Sequence, residues 1–112
     1  MKRALLALTL LALAACNSPQ ESAVKVIVGA KLIAAPGREP IEYSVIVIDG
    51  AKIRAAGTQR DTPVPKGAQM TQGRGHTVES LPGGTPVEKG QAADLVLTGP
   101  PDRVMRAGEW AQ

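Results

Sequence analysis

Tyr43-Ser44-Val45-Ile46-Val47-Ile48-Asp49-Gly50-Ala51-Lys52-Ile53-Arg54-Ala55-Ala56-Gly57 is the stretch that decides the fold class. Tyr43–Ile48 is β-branched and apolar, the composition of a buried strand. Asp49-Gly50 is a turn pair that takes the positive φ a tight hairpin requires. Ala51–Ala56 returns, and Gly57 ends the return strand. The reading is a β-hairpin. A lone hairpin is marginally stable in water, so more strands must cover its apolar faces.

Working outward, Val24–Val28 places Val24, Val26 and Val28 on one face of a strand. Gly29-Ala30 interrupts it, and Lys31–Ala34 continues it beyond a bend. Pro36-Gly37 and Pro40 mark a loop. Beyond the hairpin, Thr58–Gly67 carries Pro63 and Pro65 and reads as a loop. Ala68–Thr71 is a weak strand, Gly73-Arg74-Gly75 a turn and His76–Val78 a short strand. Leu81-Pro82-Gly83-Gly84 breaks the chain again. Ala93–Leu97 has the character of a short buried strand, and Val104–Arg106, Ala107-Gly108 and Glu109–Ala111 form a last small hairpin. No segment after residue 16 keeps a helical apolar period for long. The expected class is all-β, a small sandwich or partly open barrel of about six to eight short strands. With no phenylalanine, its core must come from Val, Ile, Leu and Ala, with Tyr43 and Trp110 as the only large fillers.

The chain has 112 residues, enough for one small domain. Its 12 glycines and 9 prolines are spread between apolar runs, which indicates short elements joined by turns. One cysteine permits no internal disulfide. The net charge is +3, but Lys2 and Arg3 account for two of those charges. There is no basic run and there are only two aromatic residues, so the charged, stacking surface of a nucleic-acid binder is missing.

The N-terminus has its own order. Lys2 and Arg3 precede an apolar stretch, Ala4–Ala15, which closes on Leu13-Ala14-Ala15-Cys16. That stretch is far short of the roughly 20 residues a spanning helix needs. Basic start, short apolar middle and small residues at the cut make a secretory signal. The cysteine after Leu-Ala-Ala resembles the bacterial lipobox, in which the cysteine is acylated and becomes the first mature residue. The resemblance implies a signal peptide over 1–15, lipidation at Cys16, a polar tether over 16–23 and a domain over 24–112. It also implies a membrane partner, held through the lipid, and a place in the bacterial cell envelope. Asn17 is not the aspartate that retains lipoproteins at the inner membrane, so the outer membrane is expected. Acylation removes the one thiol from the list of nucleophiles.

Two stretches resemble the two ends of one known family. The first is the hairpin Val45–Gly57, followed by Val64-Pro65-Lys66-Gly67-Ala68-Gln69, by Gly73-Arg74-Gly75-His76-Thr77-Val78, and by Pro82-Gly83. The second is Gly90-Gln91-Ala92-Ala93-Asp94-Leu95-Val96-Leu97 with Val104-Met105-Arg106-Ala107-Gly108-Glu109-Trp110. Their order is similar to that of the amidohydrolase superfamily, of the imidazolonepropionase-like and dihydroorotase-like kind. The resemblance implies that the two ends fold together into one composite β-sandwich. In the family, a metal-binding (β/α)₈ barrel is inserted between them and does the chemistry. Here Pro82-Gly83 leads into Gly84–Gly90, with no aspartate and His-x-His pair after it. The first pattern runs straight into the second.

The remaining chemistry is thin. A catalytic zinc site takes three protein ligands, and His76 is the only histidine. Asp49, Glu79, Glu88 and Asp94 do not make up the missing imidazoles. Asp49 reads as a turn residue, and the resemblance makes Asp94 a structural feature ahead of a strand. Ser22, Ser44 and Ser80 are formally available to a Ser-His-Asp arrangement, but no G-x-S-x-G elbow exists. Gly73-Arg74-Gly75 lacks the further glycine or the Lys-Ser/Thr of a phosphate loop. Lys52, Arg54, Arg60 and Lys66 read as dispersed surface charges. The expectation is therefore no catalytic, cofactor-binding or metal residue, no cofactor, and Cys16 as the one modified position. The function expected is a lipid-anchored, non-catalytic binding module, with a protein partner on the face a barrel would cover. The alternative is a remnant or accessory subunit of a metal-dependent hydrolase of carbon–nitrogen bonds other than peptide bonds.

Overall fold

A computed structural model describes residues 24–111. The signal segment, Cys16, Ser22 and the tether lie outside the described residues.

Nine short strands and no helix make up the described chain. They are β1 (Val24–Val28), β2 (Lys31–Ile33), β3 (Ser44–Asp49), β4 (Lys52–Thr58) and β5 (Gln69–Gln72), then β6 (Thr77–Ser80), β7 (Leu95–Leu97), β8 (Arg103–Arg106) and β9 (Glu109–Trp110). They form a four-stranded sheet in the order β4-β3-β1-β5 and a five-stranded sheet in the order β2-β6-β7-β8-β9. The fold is all-β, a small two-sheet sandwich, with one strand more than the upper expectation because Lys31–Ile33 is a strand of its own in the second sheet. Lys31–Ile33 does continue β1 beyond a bend, but into the opposite sheet, where it pairs parallel with β6.

Alternation along the strands builds the core. Ile27, Ile46, Ile48 and Ile53 from the first sheet meet Leu32, Val78, Leu95, Leu97 and Met105 from the second. The opposite face of β1 and β3 carries Val24, Val26, Val45 and Val47, also buried. β3 is thus buried on both faces, which explains its unbroken apolar run. The chain between β4 and β5 must cross from one edge of the sheet to the other. Thr62, Pro63, Val64 and Pro65 come to lie beside Val47 and Ala55, and Thr62 is buried there.

The hairpin contains a β-bulge. Val47 pairs with Ala55 and Ile48 with Ile53, so Arg54 is the extra residue. Without it, Ile53 and Ala55 would share a face. With it, Ile53 enters the inter-sheet core while Ala55 packs on the outer valine cluster. Arg54 is left free to donate to Asp49 at 2.8 Å. Asp49 therefore holds the bulged residue in addition to its place at the turn.

The two ends of the chain close on one another. Gly90 donates to Ile53 O, Ile53 to Gln91 O and Ala93 to Ala51 O, at 2.8–2.9 Å. Val87, fully buried, donates to Ala34 O at 2.8 Å. Trp110 packs against the core with the Arg103 guanidinium 4.2 Å above its ring. Tyr43, expected in the core, is instead 58% exposed. Its φ of 50° turns the ring outward one residue before β3 begins.

Candidate functional site

Two connections pass side by side from one sheet to the other. Gly29-Ala30 joins β1 to β2, and Gly73–His76 joins β5 to β6. Because β1 lies parallel to β5 and β2 parallel to β6, both chains turn the same corner together. Gly73 donates to Val28 O at 2.7 Å, and Lys31 donates to His76 O at 3.0 Å. A Cβ on Gly73 would meet the Ala30 Cβ at 2.8 Å, so the two chains approach this closely only with glycine there. Gly73-Arg74-Gly75 is a corner between sheets, consistent with its reading as a turn.

The start of β3 completes the corner. Gly29 donates to Ser44 O, while the Ser44 amide and hydroxyl both donate to Ala30 O, at 2.8 and 2.7 Å. Ser44 is buried and committed to that carbonyl. Outside these bonds lies a cleft of about 430 Å³, lined by Lys31, Glu42, Tyr43, Arg74, His76 and Thr77. Lys31 pairs with Glu42 at 3.7 Å. The Arg74 guanidinium sits 5.9 Å from the centroid of the Tyr43 ring, within cation–π range.

His76 Nδ1 lies 2.8 Å from the Thr98 carbonyl oxygen. A carbonyl only accepts, so Nδ1 carries a proton, and in the neutral tautomer the lone pair is on Nε2. Thr98 in turn bonds the backbone of Thr77 through its hydroxyl and its amide. The histidine is thus a strap between β6 and the end of β7. No serine hydroxyl bonds to it among the described residues: Ser44 is tied to Ala30, and Ser80 stands at the far end of β6.

The carboxylates are dispersed. Glu88 pairs with Arg38 at 3.0 Å, Asp49 with Arg54, and Asp94 Oδ1 accepts the Ala107 amide at 2.7 Å. Glu79 lies mid-strand on β6, opposite Val96. Among the described residues, no three His, Cys, Asp or Glu side chains converge on one point. Lys52, Arg60 and Lys66 are exposed on β4 and the loop after it. The sequence marked Arg74 and His76 singly, through the Gly-x-Gly turn and the lone imidazole. It gave no sign that Tyr43 and Lys31 join them, because those residues are far away along the chain.

No family model matches the chain, and no curated protein matches it. Solved structures do. A molinate hydrolase matches at 22% identity with a TM-score of 0.47, over 54% of this chain and 13% of its own. An uncharacterized protein matches at 29% identity and a TM-score of 0.43, over 51% of this chain and 14% of its own. A prolidase complexed with N-methylphosphonate-L-proline matches at 30% identity and a TM-score of 0.42, over 49% and 13%. The chain therefore spans only a small part of each structure it is similar to.

Proposed function

We propose that this chain is a lipid-anchored, non-catalytic sandwich of the amidohydrolase-like kind that serves as an interaction module at the bacterial envelope. The observation that carries the reading is the connection between β6 and β7. These strands pair antiparallel, Val78 with Leu97 and Ser80 with Leu95, and the chain between them is spent within the sandwich. Gly84 donates back to Leu81, Val87 plugs the core beneath Ala34, and Gly90 and Gln91 bond to Ile53. The family to which the motif order is similar inserts its catalytic barrel at this connection. Here the same stretch is a short strap that closes the two ends onto one core.

The lipobox-like Leu13-Ala14-Ala15-Cys16 supports acylation at Cys16 and retention at a membrane, the outer one by virtue of Asn17. Fractionation of cells producing the full chain or Cys16→Ser tests this. The wild type should sediment with outer membranes and take up labelled fatty acid, and the variant should do neither. Equal membrane retention of both forms would refute the anchor.

A second reading, as accessory subunit or remnant of a metal-dependent carbon–nitrogen hydrolase, has one observation in its favour. Thr85 Oγ1, on the strap, is buried without a hydrogen-bond partner among the described residues. Buried hydroxyls are ordinarily satisfied, and a partner that shifts the strap on docking would reach this one. Cross-linking from a residue placed at Lys89, followed by identification of the captured protein, separates the readings. A barrel-bearing amidohydrolase favours the subunit.

A further inference from the structure

We propose that the corner cleft between the sheets binds a small hydroxy- or amino-carboxylate, with Arg74 holding the carboxylate. Four observations meet there. Arg74 has no carboxylate partner among the described residues: the four ion pairs use Lys25, Lys31, Arg38 and Arg54. Its guanidinium is stationed over the Tyr43 ring instead, and that planar fork matches a carboxylate with two parallel hydrogen bonds.

Tyr43 stands at φ 50°, a conformation that bulky residues avoid. The three hydrogen bonds around Ser44 and Ala30 hold it there. Backbone strain maintained by its surroundings clusters at binding sites. Here it directs an exposed ring beneath the unpaired cation.

His76 supplies the third contact. With Nδ1–H given to Thr98, its Nε2 offers a lone pair and has no protein partner among the described residues. It suits a ligand with a hydroxyl or N–H beside the carboxylate. Charge selects the fourth property. Lys31 and Arg74 outnumber Glu42 among the charged side chains lining the cleft. That balance favours an anion, and the planar Arg74 fork beside an imidazole acceptor fits a carboxylate with a neighbouring hydroxyl or N–H.

The test is a titration of the isotopically labelled full chain in detergent with lactate, followed by NMR at the Arg74 Nε–H and the His76 ring. Parallel titrations use acetate, inorganic phosphate and sodium chloride of equal ionic strength. Lactate should give saturable shifts at both groups with a Kd on the order of millimolar. Acetate, lacking the donor for Nε2, should bind several-fold more weakly. Arg74→Gln should weaken lactate by roughly tenfold or more, and Arg74→Lys, which keeps charge but not the fork, by an intermediate factor. Should Arg74→Gln lose the folded spectrum, Tyr43→Asn, which suits the positive φ, serves in its place and should weaken lactate several-fold. Shifts that chloride reproduces, an unchanged affinity in these variants, acetate equal to lactate, or phosphate tighter than lactate would each overturn the proposal.

Discussion

Asp94 Oδ1 accepts a hydrogen bond from the Ala107 amide at 2.7 Å, and Ala107 is held at φ 50°. One carboxylate just ahead of β7 thereby sets the turn between β8 and β9. Asp94→Ala should cost about 1 kcal/mol, the ordinary contribution of such a bond at a solvated site. Ala107→Gly should offset part of that loss, because glycine accepts the left-handed conformation without a Cβ penalty. Urea unfolding of both single variants and the double variant measures this. An Asp94→Ala change without effect would remove the carboxylate from any structural part.

The same turn touches the N-terminal hairpin. A Cβ on Gly108 would overlap the Gly50 carbonyl and press on Ala51, and Gly108 has φ 81°. Gly108→Ala should therefore destabilise by about 2 kcal/mol or more through overlap and strain together. Gly75→Ala shares the positive φ but opens into free space, and should cost nearer 1 kcal/mol. Equal losses in thermal unfolding would mean that the two turns do not pack.

Removing residues 92–112 should unfold the whole domain. The deletion takes out Leu95, Leu97 and Met105, which are buried in the same cluster as Ile27, Ile46, Ile48 and Ile53. Each such side chain contributes about 1.5–3 kcal/mol by burial, against a total stability of about 5–15 kcal/mol for a domain. A truncated chain that keeps its β-sheet circular dichroism and melts cooperatively would show that the C-terminal stretch is an appendage.

Protein purified without chelator should hold far less than one zinc per chain. His76 is bonded through Nδ1 to Thr98, and Asp49, Glu88 and Asp94 are each engaged elsewhere, whereas a zinc site needs three converging ligands. Elemental analysis of wild type and His76→Ala checks this. One zinc per chain, lost in the variant, would reverse the non-catalytic reading.

The all-β class was legible in local patterns. Asp49-Gly50 announced its hairpin through backbone chemistry confined to neighbouring residues, and the valines of Val24–Val28 announced a strand through their alternation. Gly73-Arg74-Gly75 was recognisable as a turn for the same reason. Motif order also suggested that the two ends share a core, which Ile53 and Gln91 bear out through their mutual contact. Local pattern carried no record of where each strand goes. Lys31–Ile33 looked like a continuation of β1, and its transfer to the second sheet depends on pairing with a strand that lies far along the chain. Tyr43 looked like core because it adjoins the most apolar run, but the bonds fixing Ser44 to Ala30 turned it outward. The Arg54 bulge, the strap over Val87 and the meeting of Lys31, Tyr43, Arg74 and His76 are likewise tertiary. A residue's own type and its neighbours determine turns, strand faces and apolar burial. Which cations, rings and carbonyls end within hydrogen-bonding reach of one another is set only when sheets pack and glycines such as Gly73 let two backbones close to contact.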